Sequence, residues 1–296
     1  MIRSTRIGFI GLGRMGSAIA GRLVSNRMDL CIVPGPRRSG VDAARAAGAQ
    51  VLDTPRALAR ACAIVFTCLP SAHDVVAVTE GPDGLLAAST PGFAHVDLTS
   101  SDPAATLRLA HSYAALGVDF LDAAISGPPE KAARGEIALL VGGDPAAVAR
   151  LRPVLSMIAA SVEHLGPVAM GHRAKALMAA YGVATANAAA EVIALAQAAG
   201  IDAGRFAALV AATGMDSATF QAMAAAVAGD QGAPRRLTIA SAAKDTRHAH
   251  DMSVAQGMAC RMIAASLATL DDAVAAGAGD AFVTELGRLL VRRPAD

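Results

Sequence analysis

The sequence predicts an α/β domain built on a doubly wound, mostly parallel sheet, followed by a long helix and an all-α C-terminal domain. Three observations predict it. Short apolar, β-like runs alternate with helical stretches through the first half of the chain, the pattern of a parallel sheet with helices on both faces. From His172 to Ala199 the chain is Ala-rich, with Gly182 as its one breaker, and Ala is the best helix former. Beyond that stretch no strand signal returns.

The elements follow in order. Residues 7–10, 30–33, 64–68, 94–98, 120–125 and 138–141 read as strands. Helical patterns fall at 17–25, 40–47, 73–78 and 104–116. The remainder after Ala199 reads as helices separated by Gly200, Gly214, the segment 229–234 and Gly277 to Gly279. The expected division is an α/β domain at 1–165 and an all-α domain at 166–296, with the long helix connecting them.

Composition narrows the function classes. With 296 residues, 54% hydrophobic and 17% charged, the chain can bury a large core and is not of disordered composition. A net charge of +1 offers no broad field for nucleic acid or an anionic membrane, and 3% aromatics without Trp leave few stacking platforms for bases. Cys31, Cys62, Cys68 and Cys260 lie in apolar segments without metal-ligand spacing, which predicts buried free thiols in a reducing compartment. The apolar run from Ile7 breaks at Gly11 and Gly13, too soon for a signal peptide or a spanning helix, so a cytoplasmic protein is expected. His248 and His250, two apart on a helix, point their rings in different directions, so no metal site is expected with Asp245 and Asp251.

The first strand runs directly into Gly11-Leu12-Gly13-Arg14-Met15-Gly16, which opens a helix. Gly11 permits a tight turn, Gly13 lets backbone approach a pyrophosphate, and Gly16 allows close packing of helix on strand. The helix N-terminus faces the negative charge. This strand–turn–helix context makes the domain Rossmann-type, with NADP or NAD as the ligand. A glycine-rich turn without a ligand is the plain alternative. At the end of the second strand, Val33-Pro34-Gly35-Pro36-Arg37-Arg38-Ser39 contains no acid for a ribose diol. Arg37, Arg38 and Ser39 suit a 2′-phosphate, so NADP is preferred to NAD. Leu69-Pro70 and Ser100 follow the third and fourth strands, where ligands of such sheets bind. Ser101 or Asp102, ahead of Pro103, reads equally well as a helix N-cap.

These motifs resemble the β-hydroxyacid dehydrogenase family of the 6-phosphogluconate dehydrogenase superfamily. The run from Ile7 to Gly16 is similar to the family's opening, Asp122-Ala123-Ala124-Ile125-Ser126-Gly127 to its substrate-binding segment, and Val141-Gly142-Gly143 to the strand end after it. Gly171 with Lys175 resembles the catalytic helix, and Lys244-Asp245 the late motif whose lysine approaches the nicotinamide. The resemblance implies Lys175 as the catalytic acid/base, Ser126 and Gly127 as substrate contacts, Lys244 beside the cofactor and a homodimer or higher oligomer. The substrate it implies is a small hydroxyacid or its carbonyl partner. Two departures stand out. Ala179 occupies the place of an Asn one turn beyond the lysine, and Pro128, which has no N–H, breaks the Ser-Gly-Gly run. Lys131, where the family usually has Gly, can replace a lost carboxylate contact as a point charge. The loss of the Asn keeps an NADPH-dependent imine reductase open as a second reading, and a non-catalytic cofactor-binding scaffold is a third from another class. Retention of Lys175 argues against both.

Overall fold

The computed structural model describes residues 5–35, 38–230 and 237–291. The chain divides into two compact units, Met1–Lys175 and Ala176–Asp296. The boundary falls inside the long helix rather than ahead of it.

In the first unit, β1 (Arg6–Ile10) leads to α1 (Arg14–Ser25), then β2 (Asp29–Val33), α2 (Arg38–Ala46), β3 (Gln50–Val51) and α3 (Pro55–Ala61). β4 (Ile64–Thr67), α4 (Ala72–Glu80), β5 (Ala94–Asp97) and α5 (Pro103–Ala114) follow. The unit continues with β6 (Asp119–Ser126), α6 (Pro129–Arg134), β7 (Ala138–Gly142), α7 (Pro145–Ile158) and β8 (Ser161–Gly166). The sheet order is β3-β2-β1-β4-β5-β6-β7-β8. The chain winds outward from β1 and then returns to lay β4 on its other side, so the strand order reverses between β1 and β4. Ligands of such sheets bind at that reversal, outside the carboxyl ends of the strands. β7 runs antiparallel to β6, because the short α6 segment between them is no full crossover.

Burial on both faces explains the continuous apolar strands. One face carries Phe9, Ile32, Phe66 and Val96 against Ile19 and Leu23 of α1 and Leu151 and Leu155 of α7. The other carries Cys31, Val65 and Phe120 against Leu58 of α3 and Leu109 and Tyr113 of α5. Helices start where the sequence supplies an oxygen: Thr54, Ser71, Asp102 and Asp144 each accept a first-turn N–H of α3, α4, α5 and α7, worth about 1 kcal/mol apiece. The N-cap of α5 is Asp102, while Ser101 turns inward to Asp97.

The helix α8 (Met170–Ala198) enters the second unit, which adds α9 (Ala203–Ala211), α10 (Ala218–Val227), α11 (Ile239–Ala255), α12 (Arg261–Ala275) and α13 (Leu286–Val291). By length and composition α8 could cross a membrane. Its Val183, Ala186, Ala190 and Ile193 instead join Met223, Ile239, Leu270 and Leu286 in the core of the helical unit. Pairing outside helices here is a single bridge, Thr238 with Phe282, among the described residues. The four cysteines are free thiols; Cys31 and Cys62 are buried, Cys68 and Cys260 half-buried, and burial pushes the Cys62 thiol well above its ordinary range.

Candidate active site

The glycine-rich loop has the geometry its spacing demands. Gly11 sits at φ +100°, and a Cβ there would lie 2.2 Å from the Cys68 carbonyl oxygen. At Gly16 a Cβ would lie 1.8 Å from the Gly11 carbonyl oxygen and 3.1 Å from the Phe9 ring. Gly13 is the N-cap of α1 and has no side chain to satisfy the first-turn N–H groups, which leaves them for an anion. Leu12 is buried, and Met15 packs against the core; Arg14 is exposed, 3.8 Å from Glu130 of α6. The residues therefore fit a dinucleotide pyrophosphate at the end of β1. Gly40, which no sequence motif singles out, belongs to the same construction. Its missing Cβ would lie 2.3 Å from the Leu12 carbonyl oxygen and 2.6 Å from Ser17 Oγ, so α2 begins against the loop.

The residues expected at a 2′-phosphate fall partly outside the described residues. Arg37 and the side chain of Arg38 lie outside the described residues; Arg38 opens α2, and Ser39 is exposed on its first turn. β2 ends at Val33 without an acid.

The ends of β4 and β5 are joined through a buried polar network. Asp97 accepts hydrogen bonds from Thr67 Oγ1 (2.8 Å), the Thr99 N–H (3.0 Å) and Ser101 Oγ (2.9 Å). Thr99 Oγ1 in turn accepts from the Leu69 N–H at 3.0 Å. The loops that carry Leu69, Pro70 and Ser100 are thus held in one arrangement. His95 lies 2.9 Å from Thr67 Oγ1 through Nε2. Because the one hydroxyl proton of Thr67 goes to Asp97, His95 donates from Nε2, and its buried Nδ1 has no partner. Protonation would bury an unpaired charge there, and burial pushes His95 down to about 4 despite the nearby Asp97 carboxylate.

On β6, Ser126 is the last strand residue and pairs with Ala138 of β7. Gly127 adopts φ +139°, where a Cβ would lie 2.8 Å from Ile137 Cγ2, so this position requires glycine. Pro128 caps α6, and Lys131 is exposed on that helix. Lys175 is half-buried on α8, the last residue of the first unit. Three residues before it, His172 is buried against Thr106. In the second unit, Lys244 lies on α11 with its Nζ 3.3 Å from Asp245 Oδ1. Asn187, further along α8, donates to the Ser266 carbonyl oxygen at 3.2 Å and belongs to the core of that unit.

The reversal point, the glycine turn and the open α1 N-terminus define a dinucleotide-binding α/β protein. The profile described as "NAD binding domain of 6-phosphogluconate dehydrogenase" matches residues 6–166. A 2-(hydroxymethyl)glutarate dehydrogenase of Eubacterium barkeri is 36% identical over 175 residues, 59% of this chain and 58% of that protein. The match thus spans less than two thirds of that relative's length. The 2-hydroxy-3-oxopropionate reductase of Escherichia coli is 31% identical over 67% of each chain. Among solved structures, a Mycobacterium tuberculosis 3-hydroxyisobutyrate dehydrogenase with L-serine has the same fold (TM-score 0.88, 24% identity, 98% of this chain and 99% of that one). Psf3 with NADP+ and 2-OPP superposes at TM-score 0.82 with 26% identity over 96% of this chain and 99% of that one. A V8 variant of an imine reductase of Myxococcus stipitatus with NAD+ shares the fold at TM-score 0.64 and 22% identity over 97% of this chain and 99% of that one. The chain belongs to the β-hydroxyacid dehydrogenase family.

Proposed function

We propose that the protein is an NADP-preferring dehydrogenase or reductase that interconverts a small β-hydroxyacid and its carbonyl partner, with Lys175 as general acid/base. The observation that carries this reading is the place of Lys175: an amine on the second turn of α8, directly after a helix root seated on β6 and β7, in the unit that holds the glycine loop. When bound, the nicotinamide supplies the hydride acceptor or donor. In oxidation the Lys175 amine takes the hydroxyl proton as the carbinol C–H gives up its hydride; in reduction the ammonium returns that proton to the carbonyl oxygen. Ser126 and the Gly127 N–H hold the substrate carboxylate, and Lys131 adds a charge where Pro128 offers no N–H. Arg37, Arg38 and Ser39 take the 2′-phosphate, the loop Gly11 to Gly16 with Leu69, Pro70 and Ser100 takes the rest of the dinucleotide, and Lys244 approaches the nicotinamide. The relatives' names supply the substrate class, small hydroxyacids.

One observation favours a second reading. Ala179 removes the amide that the family resemblance implies beside the lysine, and imine reductases share the fold. The experiment that decides is NADPH oxidation with 2-hydroxy-3-oxopropionate and other small semialdehydes, run beside cyclic imines, with 3-hydroxyisobutyrate, 2-(hydroxymethyl)glutarate and L-serine in the oxidative direction. Turnover of a hydroxyacid or semialdehyde supports the dehydrogenase; turnover of imines alone replaces it with the reductase. The apolar α8 and helical unit also support assembly as a homodimer.

A further inference from the structure

The root of α8 is held by groups that α8 does not own. Seven other helices, α3, α4, α5, α7, α9, α10 and α11, begin at a neighbouring Ser, Thr or Asp whose side chain accepts a first-turn N–H. At α8 the acceptor is Asp122, in the body of β6. Its Oδ1 accepts from the Ala169 N–H at 2.6 Å across 47 residues of sequence, and its Oδ2 from the His172 N–H at 2.8 Å across 50. Two glycines make room for this contact. A Cβ at Gly142 would lie 2.4 Å from Oδ1, and one at Gly171 would lie 2.9 Å from Oδ2 and 2.1 Å from the Leu140 carbonyl oxygen.

The side chain of the same turn is held independently. Thr106 Oγ1 is hydrogen-bonded to His172 Nδ1 at 2.7 Å and also lies 3.0 Å from the Asp102 carbonyl oxygen. His172 Nε2, fully buried, faces Asp97 Oδ2 at 3.9 Å with no hydrogen-bond partner. Backbone and ring of His172 are therefore fixed from β6 and α5 at once, and Lys175 follows three residues later, under one helical turn away.

We infer that Asp122, together with the Thr106–His172 contact, forms a clamp that positions Lys175, so that Asp122 and Thr106 are positioning residues for the reaction rather than parts of the fold alone. The inference rests on the assignment of Lys175 as acid/base. The carboxylate fixes the height of the helix and the Thr106–His172 bond fixes its rotation. A displacement of about 1 Å at the reacting group can cost a hundredfold in rate.

The test is a double-mutant cycle, read with the panel substrate that the unmutated protein turns over fastest. Asp122→Asn keeps the size but sets an amide NH2 against one helix N–H. It is expected to lower kcat by roughly tenfold to a hundredfold, with NADPH Kd unchanged because the β1 loop is untouched. In the Lys175→Ala background the same substitution should cost less than about twofold more. Thr106→Val, which releases the His172 ring and spares the carboxylate, should show a smaller loss that also vanishes in that background; it carries the test if Asp122→Asn does not fold. Equal losses in both backgrounds, or a lowered Tm with unchanged kcat, overturn the clamp and leave the Lys175 assignment standing. Near-normal turnover by Lys175→Ala alone overturns the assignment and the clamp with it.

Discussion

Buried His95 makes the stability of the nucleotide-binding unit fall in mild acid. Its folded pKa is about 4 against an ordinary 6.5, with burial as the main cause. The unfolded chain therefore binds the proton more readily than the folded one. The contribution is fully present above pH 6.5, declines as pH falls through the interval down to about 4, and is flat below it. Each tenfold difference in proton affinity between the folded and unfolded chain is worth about 1.36 kcal/mol, so the change between pH 7 and pH 4.5 is about 2 kcal/mol. That is a large part of the usual 5–15 kcal/mol of a folded domain. His95→Gln isolates this effect, since Gln can still donate to Thr67 Oγ1 and does not titrate in this range. Guanidinium unfolding followed by circular dichroism at pH 7, 5.5 and 4.5 gives the comparison. The unmutated protein should lose about 2 kcal/mol more than His95→Gln between the extremes. Parallel pH dependences for the two proteins would show that His95 does not set the acid sensitivity.

Three further outcomes follow from the site. Gly16→Ala places a methyl 1.8 Å from the Gly11 carbonyl oxygen; the loop must move, so NADPH Kd, measured by fluorescence titration, should rise at least about tenfold with a stability loss of roughly 1–3 kcal/mol. Arg37→Ala with Arg38→Ala should raise the Kd for NADPH about tenfold or more while leaving that for NADH unchanged; equal affinities of the unmutated protein for the two cofactors would contradict the 2′-phosphate assignment. Light scattering at micromolar concentration should give at least twice the monomer mass of 29.7 kDa.

The strands are legible in the sequence where they are buried on both faces. The Ile7, Ile64 and Ala94 runs read directly, because both faces demand apolar residues. β3 is two residues long and β8, Ser161–Gly166, mixes Glu163 and His164 with apolar positions at a sheet edge, so neither carries a run long enough to register. α3 is too short for an apolar pattern, and in α7 the helical spacing of Val148, Leu151, Leu155 and Ile158 is broken by the interior Pro153, although Thr54-Pro55 and Asp144-Pro145 are cap signals for both. The glycine loop is legible because all its parts are local. The roles of Asp97 and His172 are not, and Asp122 stands out only as part of a family-like segment, with no sign of the helix it holds. Each acts through a partner tens of residues away, and an isolated Asp in a strand says nothing of the helix it will hold. The one signal is indirect: Gly142 and Gly171 are spared a side chain around one carboxylate, which becomes visible only when both are placed in space.

The decisive measurement is kcat of Lys175→Ala and Lys175→Arg on the substrate identified by the panel, with NADPH Kd determined on the same samples. Loss of a general acid/base typically costs between about a hundredfold and ten-thousandfold. Lys175→Ala should fall in that range with NADPH affinity unchanged, and Lys175→Arg should not restore turnover, because a guanidinium does not release its proton near neutral pH. Near-normal turnover in Lys175→Ala, or recovery in Lys175→Arg, would show that Lys175 is not the acid/base.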